Sequence, residues 1–72
     1  MESDKRKRFK RLAAQRTEKV LQKLHVLGNC SNRSSYEYSE EDINKIFSEI
    51  DKAVKNTKSR FNYPRKRSQF KL

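Results

Sequence analysis

The stretch L-G-N-C-S-N-R-S-S-Y-E-Y-S-E-E-D-I, residues 27–43, decides how this chain folds. On its left an apolar pattern of helical spacing ends at Gly28, the chain's single glycine, followed by Asn29. A glycine just past the last apolar residue predicts a helix stop in the left-handed conformation, which costs glycine nothing. On its right, Ser39 precedes Glu40, Glu41 and Asp42. With Ser39 as N-cap, its hydroxyl can accept from the Asp42 amide while the Asp42 carboxylate reaches back, a variant of the capping box. Tyr38 before the cap and Ile43 inside the helix then form the hydrophobic-staple pair. Three acids in the first turn suit the positive end of a helix. The stretch reads as a stop, a connector and a start, which predicts an all-α chain bent here.

Working outward toward the N-terminus, residues 1–4 are expected to fray, with Ser3 or Asp4 as the cap. Residues 5–11 read K-R-K-R-F-K-R, six cations around one phenylalanine. Beyond them Phe9, Ala13, Val20, Leu24 and Leu27 fall within about 60° of one another on a helical wheel, with Leu12 and Leu21 flanking. The pattern predicts a helix over about residues 5–27. Arg16 lies on this stripe. Either its stem packs while the guanidinium reaches past a neighbouring helix, or it pairs across an interface.

The connector, residues 29–38, is rich in Asn and Ser, as turns are. Its Tyr-Glu-Tyr step puts Tyr36 and Tyr38 on one side of an extended chain. They would either close the end of a helical core or offer a contact surface to a partner protein. Cys30 reads as a small packing residue. His25 lies off the apolar stripe, and nothing in the spacing builds it and Cys30 into a nucleophile with an oriented base.

Toward the C-terminus, Ile43, Ile46, Phe47, Ile50, Ala53, Val54, Thr57 and Phe61 keep a three/four spacing. This predicts a second helix over about residues 40–61, acidic at its start and basic at its end through Lys52, Lys55, Lys58 and Arg60. Pro64 bars its continuation and pushes Tyr63 toward an extended conformation. Residues 62–72, N-Y-P-R-K-R-S-Q-F-K-L, have no helical periodicity and are expected to form a basic, disordered tail. The predicted organisation is therefore a two-helix antiparallel hairpin over residues 1–61 with a tail over 62–72. Two helices share one seam, so the hairpin is expected to dimerise into a four-helix bundle or stay loose until a partner arrives.

Composition agrees with a thin core. The chain has 72 residues, of which 32% are hydrophobic and 39% charged. That size is close to the lower limit for a single stable core. No run is long enough to span a bilayer, and no apolar segment follows the basic N-terminus. A single cysteine makes no internal disulfide, which fits a reducing compartment. The formal charge of +10, from 19 Lys+Arg and 9 Asp+Glu, points to a polyanionic partner.

An antiparallel hairpin would set Lys5, Arg6, Lys7, Arg8, Lys10 and Arg11 beside Lys52, Lys55, Lys58, Arg60, Arg65, Lys66, Arg67 and Lys71. The acids Glu37, Glu40, Glu41 and Asp42 would mark the other pole. Cations in the first turn of a helix oppose its dipole, and here they would also repel those of the second helix. A phosphate backbone against this pole relieves both penalties, with Phe9, Tyr63 and Phe70 interleaved as stacking groups. The competing reading is a solvated basic end, or an import-like address in K-R-K-R and P-R-K-R.

The chain has no Gly-rich phosphate loop, no zinc-ligand spacing and no catalytic triad pattern. Neither an enzyme, a metal nor a cofactor is expected. Residues 11–47, centred on L-G-N-C-S-N and Y-E-Y, resemble a group of small uncharacterised bacterial proteins carried on plasmids, prophages and other mobile elements. The likeness extends over about residues 9–61 and implies a bacterial cytoplasm; it transfers no activity and no functional residue. Two functions are expected from these readings. One is a nucleic-acid-binding accessory protein that holds DNA or RNA by its phosphates through Lys5, Arg6, Lys7, Arg8, Lys10, Arg11, Lys58, Arg60, Arg65, Lys66 and Arg67. The other is a protein-interaction module or inhibitor that docks on a larger host or phage protein through its apolar seam or through Arg16, Tyr36 and Tyr38. No membrane partner is expected.

Overall fold

A computed structural model describes residues 1–61 of the chain. Every regular element among the described residues is helical: α1 spans Asp4–Gly28, a short 3-10 turn spans Asn29–Ser31, and α2 spans Glu40–Ser59. The chain divides into two compact units, Met1–Glu37 and a second that begins at Tyr38. No side chain among the described residues is fully buried. Local chemistry must therefore explain each helix.

In the first unit, Ser3 caps α1. Its Oγ accepts from the Arg6 amide at 3.1 Å, and its carbonyl accepts from the Lys7 amide at 3.1 Å. The body of α1 is mostly Lys, Arg, Leu, Ala, Gln and Glu, the strong helix formers, and holds no proline. Its 25 residues exceed the length of about 12–15 below which isolated helices are marginal. Of the apolar stripe, Leu12, Ala13 and Leu27 are half-buried, while Phe9, Val20, Leu21 and Leu24 stay exposed.

The expected left-handed stop at Gly28 is not what forms. Gly28 keeps right-handed helical angles, φ −60° and ψ −24°, and no described residue has a positive φ. The Asn29 amide turns to the carbonyls of Leu27 and Val26, and the chain tightens into the 3-10 turn. This shorter bonding pattern satisfies helix-end groups without any left-handed residue. The break falls at Asn32, whose backbone opens to ψ 106°. Its Oδ1 accepts from the Ser34 amide at 3.0 Å, and its carbonyl accepts from the amides of Ser35 at 3.1 Å and Tyr36 at 2.9 Å. An Asn side chain that mimics a backbone turn in this way competes with helix continuation. Asn32, four residues beyond Gly28, is the stop.

In the second unit the start of α2 forms as the sequence predicts. Ser39 Oγ accepts from the Asp42 amide at 3.1 Å, and Asp42 Oδ2 accepts from the Ser39 amide at 2.9 Å. Tyr38 and Ile43, the residues expected to form the staple, are both half-buried amid exposed neighbours. Glu40, Glu41 and Asp42 fill the first turn and Lys58 the last, each matched to the dipole. Ile50 is half-buried, whereas Ile46, Phe47 and Val54 are exposed. Glu49 and Lys52 pair at 3.4 Å across one turn. The helix closes at Ser59, slightly short of the predicted residue 61. There the Arg60 amide donates to Thr57 at 3.0 Å and the Phe61 amide to Lys58 at 3.1 Å. Bonds of this three-residue span tighten the last turn and end the ladder before Pro64 can act. The expected tail, residues 62–72, lies outside the described residues.

Candidate nucleic-acid interface

The cations of residues 5–11 occupy the first two turns of α1, where the Ser3 cap has already fixed a regular backbone. Lys5, Arg6, Lys7, Arg8, Lys10 and Arg11 are all exposed. Six residue steps at about 1.5 Å each place them within about 9 Å along the axis. Asp4 is the single acid of the first turn. Lys10 pairs with Glu2, which precedes the helix. Lys5, Lys7, Arg8 and Arg11 make no ion pair among the described residues. The helix N-terminus therefore carries positive dipole, positive side chains and little compensation.

Phe9 breaks the basic run on the stripe side. Its ring is about half exposed, and the Arg6 guanidinium lies 5.9 Å from the ring centroid. At an exposed site such a contact contributes on the order of 0.5–1 kcal/mol. It also keeps one guanidinium over an aromatic face, so the pair presents a ring and a charge together. The Arg6–Phe9 spacing of three is a normal helical neighbour distance, though the pair was not singled out in the sequence. The Glu2–Lys10 pair, eight residues apart, follows no helical neighbour rule and was missed.

The other expected phosphate contacts belong to the second unit. Lys58 stands in the last turn of α2 and Arg60 is its C-cap residue, both exposed. Arg65, Lys66 and Arg67 lie outside the described residues, as do Tyr63 and Phe70.

The expected protein-contact residues differ in their surroundings. Arg16 is exposed on α1 and makes no ion pair among the described residues. Tyr36 is about half exposed, and its backbone closes the Asn32 turn. Tyr38 is half-buried at the start of α2 and, with Asp42, Lys45, Ile46 and Glu49, lines a shallow apolar depression on that helix. The two tyrosines are therefore not an equivalent pair. Cys30 is exposed with a free thiol, in the 3-10 turn, rather than packed as expected.

The Asp42 carboxyl has a lowered pKa. The hydrogen bond from the Ser39 amide, then the one involving the Ser39 side chain, and last the nearby Lys45 charge hold its carboxyl below the ordinary carboxylate range. This belongs to the cap and supplies no acid–base pair. Among the described residues, no three His, Cys, Asp or Glu side chains gather as metal ligands would. Nor is any described helix long and apolar enough to cross a membrane. Compared with family models, with curated proteins and with solved structures, the chain matches none.

Proposed function

We propose that this is a small helical nucleic-acid-binding accessory protein that grips the phosphate backbone through the basic start of α1. One observation carries the reading. Six exposed cations crowd two turns of a formed helix, at its positive end, with one carboxylate partner among them. Each cation in the first turn opposes the dipole by about 0.3–1 kcal/mol. Such a local cost without an internal offset is expected where a ligand supplies the missing charge.

In this reading the apolar stripes of α1 and α2 close on each other as an antiparallel hairpin. That arrangement adds Lys58, Arg60 and the cations of the tail, Arg65, Lys66 and Arg67, to the same pole. Two hairpins pairing into a four-helix bundle would cover the exposed remainder of both stripes. The chain acts as a binding protein without catalysis, in the cytoplasm of a bacterium that carries it on a mobile element.

The test is the variant with Lys5, Arg6, Lys7 and Arg8 all changed to Gln. Its helix content should match or slightly exceed that of the parent, since charge opposed to the dipole has been removed. Its binding to unrelated nucleic-acid sequences should weaken to a similar degree throughout. Unchanged binding at moderate salt would reduce the basic end to a solvated one.

A second reading has its own support. α2 leaves Ile46, Phe47 and Val54 exposed along one stripe, next to the depression at Tyr38. A larger host or phage protein docking there would bury that stripe, with Tyr36, Tyr38 and Arg16 as contacts. Binding through the stripe should hardly respond to salt, whereas phosphate binding should respond steeply.

A further inference from the structure

We infer that the basic end of α1 enters the major groove of B-form double-stranded DNA. This rests on the phosphate-binding reading above and narrows its ligand class. At about 100° per residue, Arg11, Arg8, Lys5, Arg6, Lys10 and Lys7 follow one another around the helix axis. Successive gaps are about 40–60°, except one of about 100° between Lys5 and Arg6. Phe9 fills that gap, and the Arg6 guanidinium lies over its ring. The positive charge is therefore a collar rather than a stripe.

A collar is a poor match for a flat or one-sided ligand. An anionic membrane surface, or a single strand lying along one flank, can meet about half of it. The remaining cations would go on repelling one another and opposing the dipole. A groove with phosphates on both walls engages opposite flanks of the helix at once, which a surface cannot. The B-form major groove is about 12 Å wide and admits an α-helix, whose diameter with side chains is about 10–12 Å. The A-form major groove is deep and narrow and does not. The helix is already capped at Ser3, so binding need not order this segment first.

Phosphate contacts of this kind position the protein without reading bases, so little sequence preference is expected.

Anisotropy of three fluorescein-labelled probes between 50 and 200 mM NaCl tests this: a mixed-sequence 20-base-pair DNA duplex, one of its strands, and an RNA duplex of the same sequence. Two double variants accompany the parent. K7Q/R11Q clears the side opposite Phe9, and K5Q/R6Q clears the two flanks of Phe9. The DNA duplex should bind tightest. Each double variant should lower its slope of log affinity against log salt by about 1.8, the equivalent of two phosphates. If one double variant lowers the slope and the other does not, contact is one-sided and the groove is wrong, while phosphate binding stands. Equal affinity for the RNA duplex or the single strand also overturns the groove and spares phosphate binding. If none of the three probes binds the parent, the phosphate reading itself fails and takes the groove with it. Circular dichroism checks each variant; where a Gln pair loses helix, the corresponding Ala pair, a stronger helix former, replaces it.

Discussion

Replacing Gly28 by Ala should stabilise this protein, and the sign of the effect is what matters. Gly28 sits at the last position of α1 with φ −60°. A Cβ built there meets nothing within 4 Å. Alanine therefore adopts the native backbone without strain and removes conformational freedom from the unfolded chain. In a helix interior the difference between glycine and alanine is about 0.8–1 kcal/mol, and compatible Gly-to-Ala changes generally gain about 0.4–1 kcal/mol. The position is terminal, so about 0.5 kcal/mol is expected, roughly a twofold shift in the helix equilibrium. Ellipticity at 222 nm followed through a thermal melt measures it, and amide exchange at residues 29–31 reports on the 3-10 turn directly. A left-handed Gly28 would make the same substitution costly by about 1–2 kcal/mol. A lowered melting temperature for Gly28→Ala would therefore refute the right-handed continuation and return the helix stop to Gly28.

Other perturbations separate the remaining parts of the account. Ser39→Ala should lose about 1 kcal/mol from the start of α2 through its uncapped amides, seen as a lower melt with α1 exchange unchanged. Because the Asp42 carboxyl titrates below the ordinary range, its stabilising contribution is complete above about pH 4. It is lost as pH falls through the lowered value; a carboxyl-shift NMR titration should show this, and Ser39→Ala should raise the midpoint only in part, because the amide at position 39 still donates to the carboxylate. Asn32→Ala should remove the turn that accepts from Ser34 and let helical protection extend past residue 32, readable by amide exchange. Phe9→Ala should leave α1 helical but weaken single-strand binding if the ring stacks on bases, each such contact contributing about 1–3 kcal/mol. A lowered melt with unchanged binding would place Phe9 in the seam instead.

Much of the local structure was legible in the sequence because it depends on groups a few residues apart. Ser39 and Asp42 face each other across one helical turn whatever else the chain does, so S-E-E-D predicted both hydrogen bonds of the box. The same rule offered Ser3 or Asp4 as the cap of α1, and Ser3 takes that place. Gly28 misled because glycine permits the left-handed region without requiring it, and the chain had another stop available. That stop, the Asn32 side chain accepting from Ser34, carried a signal in S-N-R-S-S that was read as turn composition rather than as the terminator. The end of α2 at Ser59 was misjudged because Phe61 continues the apolar spacing, which reports on a face and not on the hydrogen-bond ladder. The basic cluster was visible as composition, but its collar arrangement needs the helix to be placed first. Glu2 as partner of Lys10 depends on how the chain enters the helix, which residue spacing does not encode.

Phosphate binding by the basic start of α1 is decided by the salt dependence of the parent protein. Affinity for the mixed-sequence DNA duplex should be measured between 50 and 200 mM NaCl. Six cations engaging six phosphates would give a slope of log affinity against log salt of about −5. Participation by Lys58, Arg60 and the tail cations Arg65, Lys66 and Arg67 would steepen it further. A slope near zero, or no measurable binding at 50 mM, would contradict the claim and leave the exposed stripe of α2 as the functional surface.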